Sequence, residues 1–335
     1  MAKESAAQTA VTSADVARLA GVSRATVSFV LNNTQVHRVS DTTRARVLAA
    51  ADQLGYVPHA AARSLRAGRN NLVLMPASVS AIGRLVSVWI DNLQSELEQY
   101  GYTTVMHAGR FPDPVTAARA WAELRPAAVL AIDGGSLTPK GAEVLRRAGV
   151  RALVTFAGRP VESVQTIAFD HARIGAVAME HLVAHGRRTV GVVMPQERGL
   201  TAFAEPRLAG ARDVASRTAA SVTAVEMAYS LESATKLAES WPGRGLDAVF
   251  AYNDEYAALL MHALREKGIS VPEEVAVVGA DDLVLSALQH PALTTIRLDL
   301  PAPARIAAAL HDLIESGTAP DVPGVEPVLV RRQSS

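Results

Sequence analysis

The sequence predicts two structural classes in one chain: a small all-α helix-turn-helix headpiece, then an α/β body of two doubly wound parallel sheets. Three observations predict this. Residues 15–32, DVARLAGVSRATVSFVLN, place Gly21 between two short amphipathic runs and follow it with Ser, Arg and Thr. From Leu72 onward, short apolar runs alternate with amphipathic segments, several of which close on glycine. The 335 residues exceed one ordinary core and suit two or three packed units.

Composition excludes several functions. With no cysteine there is no disulfide framework, no thiolate metal site and no thiol nucleophile. No run of about 18 apolar residues occurs, and the first twenty residues lack the apolar segment of an export signal, so a cytoplasmic protein with no membrane partner is expected. The net charge of 0 conceals an asymmetry. Residues 1–70 hold nine Lys/Arg against four acids, which leaves 24 basic and 29 acidic residues for the remainder. A basic head on a mildly acidic body suits a polyanionic partner for the head alone, although a solvated basic face would read the same way.

Residues 1–12 are small and polar, the composition of a disordered terminus. Residues 13–58 carry three short helical patterns, with Ser13, Ser23 and Ser40 placed as N-caps. Residues 59–70 are alanine-rich and only long enough for about two turns, too short to be stable alone in water, so they read as a linker helix that forms conditionally. The body, 71–335, offers nine candidate strands, at 72–75, 103–107, 127–132, 152–156, 166–169, 189–194, 221–226, 248–252 and 275–279. Candidate helices lie between most of them, as at 85–100, 172–185, 205–219 and 254–267. Strands in two series, alternating with helices, imply two buried parallel sheets. Ligands of such sheets sit beyond the carboxyl ends of the strands, which directs attention to the loops after Met75, Ile132, Met194, Tyr252 and Gly279.

In the head, 15–20 and 24–32 are each long enough for one helix. Gly21 supplies the left-handed turn, Val22 fills the angle between the helices and Ser23 caps the second. Ala17 and Ala20 permit close approach while Val16, Val27 and Val30 face inward. The second helix then presents Ser23, Arg24, Ala25, Thr26, Ser28 and Phe29 outward, where a recognition helix meets base edges and phosphates. Hydroxyls and helix amides suit phosphate, and Arg24 suits a guanine edge. A plain helical hairpin with a glycine turn would share the pattern.

The residues go further than a generic motif. TSADVARLAGVSRATVSFVLN (12–32), VSDTTRARV (39–47) and LGYVP (54–58) closely resemble the headpiece of the lactose-repressor (LacI/GalR) family of bacterial transcriptional regulators. Similar matches continue in HLVAHGRR (181–188), RLAGAR (207–212), AYNDEYA (251–257), VPEEVAVVGADD (271–282), HPALTTIR (290–297) and VLVRR (328–332). The resemblance implies a periplasmic-binding-protein-like core, with subdomain 1 at about 71–169 and 298–322 and subdomain 2 at about 170–297 and 323–335. It also implies double-stranded DNA as a partner, with Asn32 among the DNA-binding residues. Linker helices of two dimer-related chains would fold together on the operator, with Leu65 wedged into a minor-groove step, Ala62 at the helix contact and Arg63 on phosphate. A flexible alanine-rich tether is the alternative. One departure is Phe29, which stands where many relatives carry arginine and so implies an apolar contact to a thymine methyl.

For the body, the resemblance implies an effector between two subdomains crossed by three strands, with Arg207, Asn253 and Asp281 at the cleft and Asp254 close by. Guanidinium, carboxylate and amide together hydrogen-bond the hydroxyls of a sugar. Helix capping by Asn253 and Asp254 and a turn at Asp281 are the alternatives. The other half of the cleft departs from the family: Ala77 lies in a loop, 76–83, without the usual polar pattern, and Phe156 replaces a strand-end aspartate. At 4% aromatic content, few side chains, Phe156, Phe203 and Tyr229, are expected to stack on a ring. A carbohydrate is the default effector, with a less polar one or none left open.

No other chemistry has a constellation to stand on. His181 and His185 share a helix face, but HLVAH lacks the glutamate of HExxH and no third ligand is evident, so no metal is expected. Neither a Walker loop, GxGxxG nor GxSxG occurs; no cofactor and no enzyme activity are expected. The reading is a homodimeric, ligand-responsive repressor of a metabolic operon on a pseudo-palindromic operator, because one short helix specifies too few base pairs. No heptad tail follows VLVRR, which predicts a dimer rather than a tetramer. The rivals are a cytosolic solute-binding protein, a sugar-active enzyme using Asp254 and Asp281, and a regulator without an effector.

Overall fold

The computed structural model describes residues 11–31, 39–57, 70–77, 83–132, 135–197 and 199–335. It divides into two units, Met1–Asn70 and Asn71–Ser335.

The first unit holds three helices, α1 (Ser13–Ala20), α2 (Arg24–Leu31) and α3 (Asp41–Leu54). The first starts one residue earlier than expected, because the residue three before Asp15 is Thr12. The Asp15 carboxylate accepts from the Thr12 N–H at 2.9 Å and the Thr12 hydroxyl at 2.7 Å, which makes Thr12 the cap and Ser13 the first helical residue. At the other end Gly21 takes φ 63°, so the Val22 N–H reaches back to the Ala17 carbonyl at 3.0 Å. Ser23 then accepts from the Thr26 N–H at 3.1 Å and Ser40 from the Thr43 N–H at 3.3 Å, the two expected caps. One valine from each helix, Val16, Val27 and Val47, is fully buried, with Val30 and four alanines packed around them. The alanines let three short helices meet on so small a core.

The body unit contains two parallel sheets. The first joins β1 (Leu72–Pro76), β2 (Thr103–His107), β3 (Ala128–Ala131), β4 (Ala152–Ala157) and β5 (Gln165–Ala168) in the order β2-β1-β3-β4-β5. The second joins β6 (Thr189–Pro195), β7 (Ser221–Met227), β8 (Ala248–Phe250) and β9 (Ala276–Val278) in the order β7-β6-β8-β9. Strand order reverses beside the first strand of each, the mark of double winding. Every residue of β3, β4, β8 and β9 is buried, which is why those segments read as unbroken apolar runs.

Helices α4 (Arg84–Gln99), α5 (Pro114–Glu123) and α6 (Pro139–Arg147) belong to the first lobe; α7 (His171–Ala184), α8 (Thr201–Ser216), α9 (Leu231–Ser240), α10 (Asp254–Glu266) and the short α11 (Val284–Leu288) belong to the second. Helix α8 starts at Thr201 rather than near 205, so Pro206 lies inside it and not in its first turn. Two strands were not among the nine candidates, β10 (Thr295–Leu298) and β11 (Pro327–Val330), which pair antiparallel. They and the segment at Phe169 carry the chain between the lobes. Val278 bridges Thr294, Phe169 bridges Val325, and α12 (Pro303–Ser316), which follows β10, packs on α4. Four-residue crossing strands show too little periodicity to be read from sequence. Among the described residues, no helix is long and apolar enough to cross a membrane.

Candidate functional site

In the head, burial of Val27 and Val30 fixes which way α2 turns. Ser23, Arg24 and Ala25 are exposed, and Thr26, Ser28 and Phe29 are half-buried on the same helix. The Ser23 and Thr26 hydroxyls lie 2.9 Å apart, so part of their hydrogen-bonding capacity is spent holding the helix start. Arg18 pairs with Asp15, whereas Arg24 extends from the first turn of α2. The result is a short helix with hydroxyls, an arginine and one aromatic ring on its outward side. Asn32, Ala62, Arg63 and Leu65 lie outside the described residues.

In the body, a cavity of about 550 Å³ lies between the carboxyl ends of the two sheets, within the size range of small-molecule sites. Four of the five loops singled out from the sequence deliver a residue to it, Ala77, Glu197, Asn253 and Asp281, and Ile132, the residue before the fifth, lines it too. Phe156, Arg207 and Tyr229 line it as well. Asp254 does not. It is fully buried behind the wall, where its carboxylate accepts from the Leu283 N–H at 2.7 Å and from the Thr295 hydroxyl. It therefore fastens the start of α10 to the turn after β9 and to β10, and burial pushes its pKa up to about 7. Asn253 does cap α10, accepting from the Tyr256 N–H at 3.0 Å, yet its amide still lines the cavity. Capping and lining coexist in one side chain.

The charged groups are arranged around Arg207. Its side chain is only 5% exposed, donates to the Tyr252 carbonyl and lies 4.7 Å over the Tyr252 ring. Its Nε has no hydrogen-bond partner among the described residues. Asp281 is held in a left-handed conformation, φ 101°, by its N–H bond of 2.8 Å to the Ile296 carbonyl. A non-glycine residue there is strained, and such strain concentrates at binding loops. Burial pushes the Asp281 carboxyl up, the Arg207 charge opposes this, and Glu255 adds to it. For Glu197, burial works upward but hydrogen bonds from the Tyr256 hydroxyl and the Tyr229 N–H prevail and hold it below the usual glutamate range. Burial, and then Arg207, drive His171 well below the usual histidine range, so it is neutral at physiological pH, and its buried Nδ1 has no partner among the described residues.

Two glycines bring Arg207 to this place. A Cβ on Gly175 of α7 would lie 1.8 Å from the Arg207 carbonyl oxygen, and one on Gly210 of α8 would lie 1.8 Å from the Ala172 carbonyl oxygen. The helices touch backbone to backbone, which sets His171 and Arg207 into the same wall. Across the cleft, Gly83 precedes α4, and a Cβ there would stand 3.5 Å from a Glu255 carboxylate oxygen and 3.7 Å from the Asn253 amide. That contact brings the amino end of α4 against the first turn of α10.

The expectation of few stacking rings is corrected. Trp89, Phe156, Phe169, Phe203, Tyr229, Tyr252 and Tyr256 all line the cavity, seven of the chain's fifteen aromatic residues. Overall scarcity concealed local concentration. His171, Glu197, Tyr252 and Tyr256 were also missed, although a residue just past the carboxyl end of a strand, as His171 follows β5 and Glu197 follows β6, was a usable signal. Trp89 comes from the interior of α4 and carried none. His181 and His185 lie elsewhere, with the His181 Nε2 2.9 Å from the Ser335 hydroxyl and the His185 Nδ1 2.8 Å from the His181 carbonyl.

Comparison with known proteins agrees with this architecture. The family described as bacterial regulatory proteins, lacI family, matches residues 12–59, and the periplasmic binding protein-like domain matches 179–335. The HTH-type transcriptional repressor PurR of Vibrio campbellii is 30% identical over 290 residues, 84% of this chain and 85% of its own. The HTH-type transcriptional regulator GalR of Escherichia coli is 30% identical over 334 residues, 96% of this chain and 94% of its own. Among solved structures, the lac repressor dimer bound to operator and the anti-inducer ONPF superposes with a TM-score of 0.73 at 26% identity, covering 97% of this chain and 99% of that one. The transcriptional regulator CelR in complex with cellobiose does so with a TM-score of 0.62 at 27% identity, covering 97% and 100%. The relatives are regulators and not enzymes, and with a helix-turn-helix head on a two-lobed α/β core this chain belongs to the lacI family of DNA-binding transcriptional regulators.

Proposed function

We propose that the chain acts as a homodimeric repressor of a metabolic operon, releasing or gripping a pseudo-palindromic operator according to a small hydroxylated effector, by default a carbohydrate, in the body cleft. The observation that carries this is the pairing, in one chain, of an outward-facing recognition helix with a cleft in which Arg207, Asn253 and Asp281 converge. In this reading Ser23, Thr26 and Ser28 hold phosphates, Arg24 and Phe29 read base edges, Ala25 permits close approach, and Asn32, Ala62, Arg63 and Leu65 complete the contact and the hinge. Dimerisation draws support from α11, where Val284 and Leu288 are 81% and 66% exposed four residues apart on one helical face. The effector would bias the angle between lobes and hence the linker, so ligand and operator affinities are coupled reciprocally.

The test is sedimentation of the full chain with an operator duplex, with and without bound ligand. The reading predicts two chains per duplex and an operator affinity that changes when ligand is added. One chain per duplex, or an affinity indifferent to every bound ligand, would contradict it.

A further inference from the structure

We infer that the effector is an amphipathic molecule, a hydroxyl-rich ring joined to a carbocyclic aryl group, with the aryl end held by the first lobe. This rests on the proposed effector reading and deepens it. The cavity is chemically divided. The second lobe gives its described lining the hydrogen-bonding groups Arg207, Asn253, Asp281, Glu255, Glu197 and His171, and the first lobe gives it Arg84 and Ser87. Apart from the exposed Arg84 and from Ser87, whose hydroxyl donates to the Arg84 carbonyl at 3.0 Å, the described part of the first-lobe wall presents carbon: Trp89, Phe156, Phe169, Ile132, Leu298 and Leu300.

The one polar side-chain atom of these six residues is occupied. The Trp89 indole N–H donates to the Pro301 carbonyl at 2.8 Å, so the ring offers only its face and edges. Trp89 and Phe156 meet edge to face at 5.6 Å between centroids, and Phe156 and Phe169 at 6.4 Å. The series continues through His171, 4.2 Å from Phe169, to Phe203, 5.1 Å farther on. A row of rings thus runs from the apolar wall to the polar one, ending beside Arg207, whose buried Nε has no partner among the described residues.

A free hexose would meet the polar wall but leave hydroxyls against the carbon of the described first-lobe wall, where each buried unpaired polar group is costly. A nucleoside has the right overall shape, but its base carries N–H and C=O groups for which the described apolar wall has no partners. A phenyl or similar ring leaves nothing unpaired and gains apolar burial together with edge-to-face contacts, worth about ten- to a hundredfold in affinity.

The experiment is isothermal titration of the full chain with matched probes: hexoses and pentoses, their phenyl glycosides, phenol, and adenosine and uridine. The inference expects one phenyl glycoside to bind at least about tenfold more tightly than its parent sugar and than phenol, and the ratio to fall in Phe156→Leu. Equal affinity for sugar and phenyl glycoside overturns the inference and leaves the sugar-effector reading standing. Preference for a nucleoside overturns the aryl assignment. Binding of no probe by protein that still binds DNA overturns both the inference and the carbohydrate default.

Discussion

The crossing of α7 and α8 yields a sharp prediction, because it rests on two backbone contacts. In Gly175→Ala the new methyl would sit 1.8 Å from the Arg207 carbonyl oxygen, against the 3.0 Å that such contacts essentially never fall below, so the helices must part by about 1.2 Å, the difference. Forced overpacking of this kind costs ~3 kcal/mol, and the higher helix propensity of alanine offsets about 1 kcal/mol. A net loss of about 2 kcal/mol lowers the melting temperature of a unit this size by roughly 4–8 °C. Gly210→Ala meets the Ala172 carbonyl at the same 1.8 Å and predicts a similar drop. One separation relieves both clashes, so the double variant loses about 1 kcal/mol less than the sum of the two. Gly243→Ala, whose methyl meets nothing within 4 Å, is the control and melts unchanged. The assay is thermal unfolding of the full chain followed by circular dichroism. Either glycine variant melting like the control would refute the reasoning.

Other consequences can be measured alongside. Val27→Ala removes a fully buried side chain from the eight-residue core of the head, so about 1–3 kcal/mol is lost and operator affinity collapses while the main melting transition of the body stays in place. Asp254 has a folded pKa of about 7, above its unfolded value near 3.8, so the folded state holds a proton that the unfolded state has lost. Its contribution is complete below about pH 4 and declines as pH rises to about 7, by a few kcal/mol at most, and comparing urea midpoints of Asp254→Asn with the parent across that range should reveal a flatter slope in the variant. Arg207→Met leaves Asp281 without its compensating charge and removes the donor to Tyr252, which predicts loss of ligand binding by more than about tenfold in calorimetry with DNA binding retained. Phe29→Ala should relax base preference at one position of each half-site; an obligatory guanine there, unaffected by the change, would sink the thymine-methyl assignment.

What could be read from sequence was whatever leaves a periodic or steric trace. The apolar runs of β3, β4, β8 and β9 were legible because strands buried on both faces have no polar positions to interrupt them. Gly21 was legible because a left-handed residue ends a helix at little cost only as glycine. The resemblance implied crossing strands without placing them, and β10 and β11 went unplaced because their partly exposed, antiparallel segments lack an unbroken apolar run; the start of α8 was placed too late because Pro206 resembles a first-turn residue. In the cleft, Arg207, Asn253 and Asp281 were found through resemblance, while composition misled: seven rings converge from six segments of the chain, with only Tyr252 and Tyr256 close in sequence. Asp254, adjacent to a cleft residue, lies behind the wall because Asn253 is the extended N-cap whereas Asp254 is the first helical residue, bonded to Leu283 and Thr295.

The most direct test of the central claim is selection of binding sites from randomised duplex DNA by the purified full chain at one fixed, near-physiological salt concentration, since phosphate affinity alone is salt-dependent. The account predicts enrichment of an inverted repeat whose half-sites are lost with Arg24→Ala or Val27→Ala. Retention of DNA without any enriched sequence, both in the absence of ligand and in the presence of each phenyl glycoside and sugar probe, would contradict it.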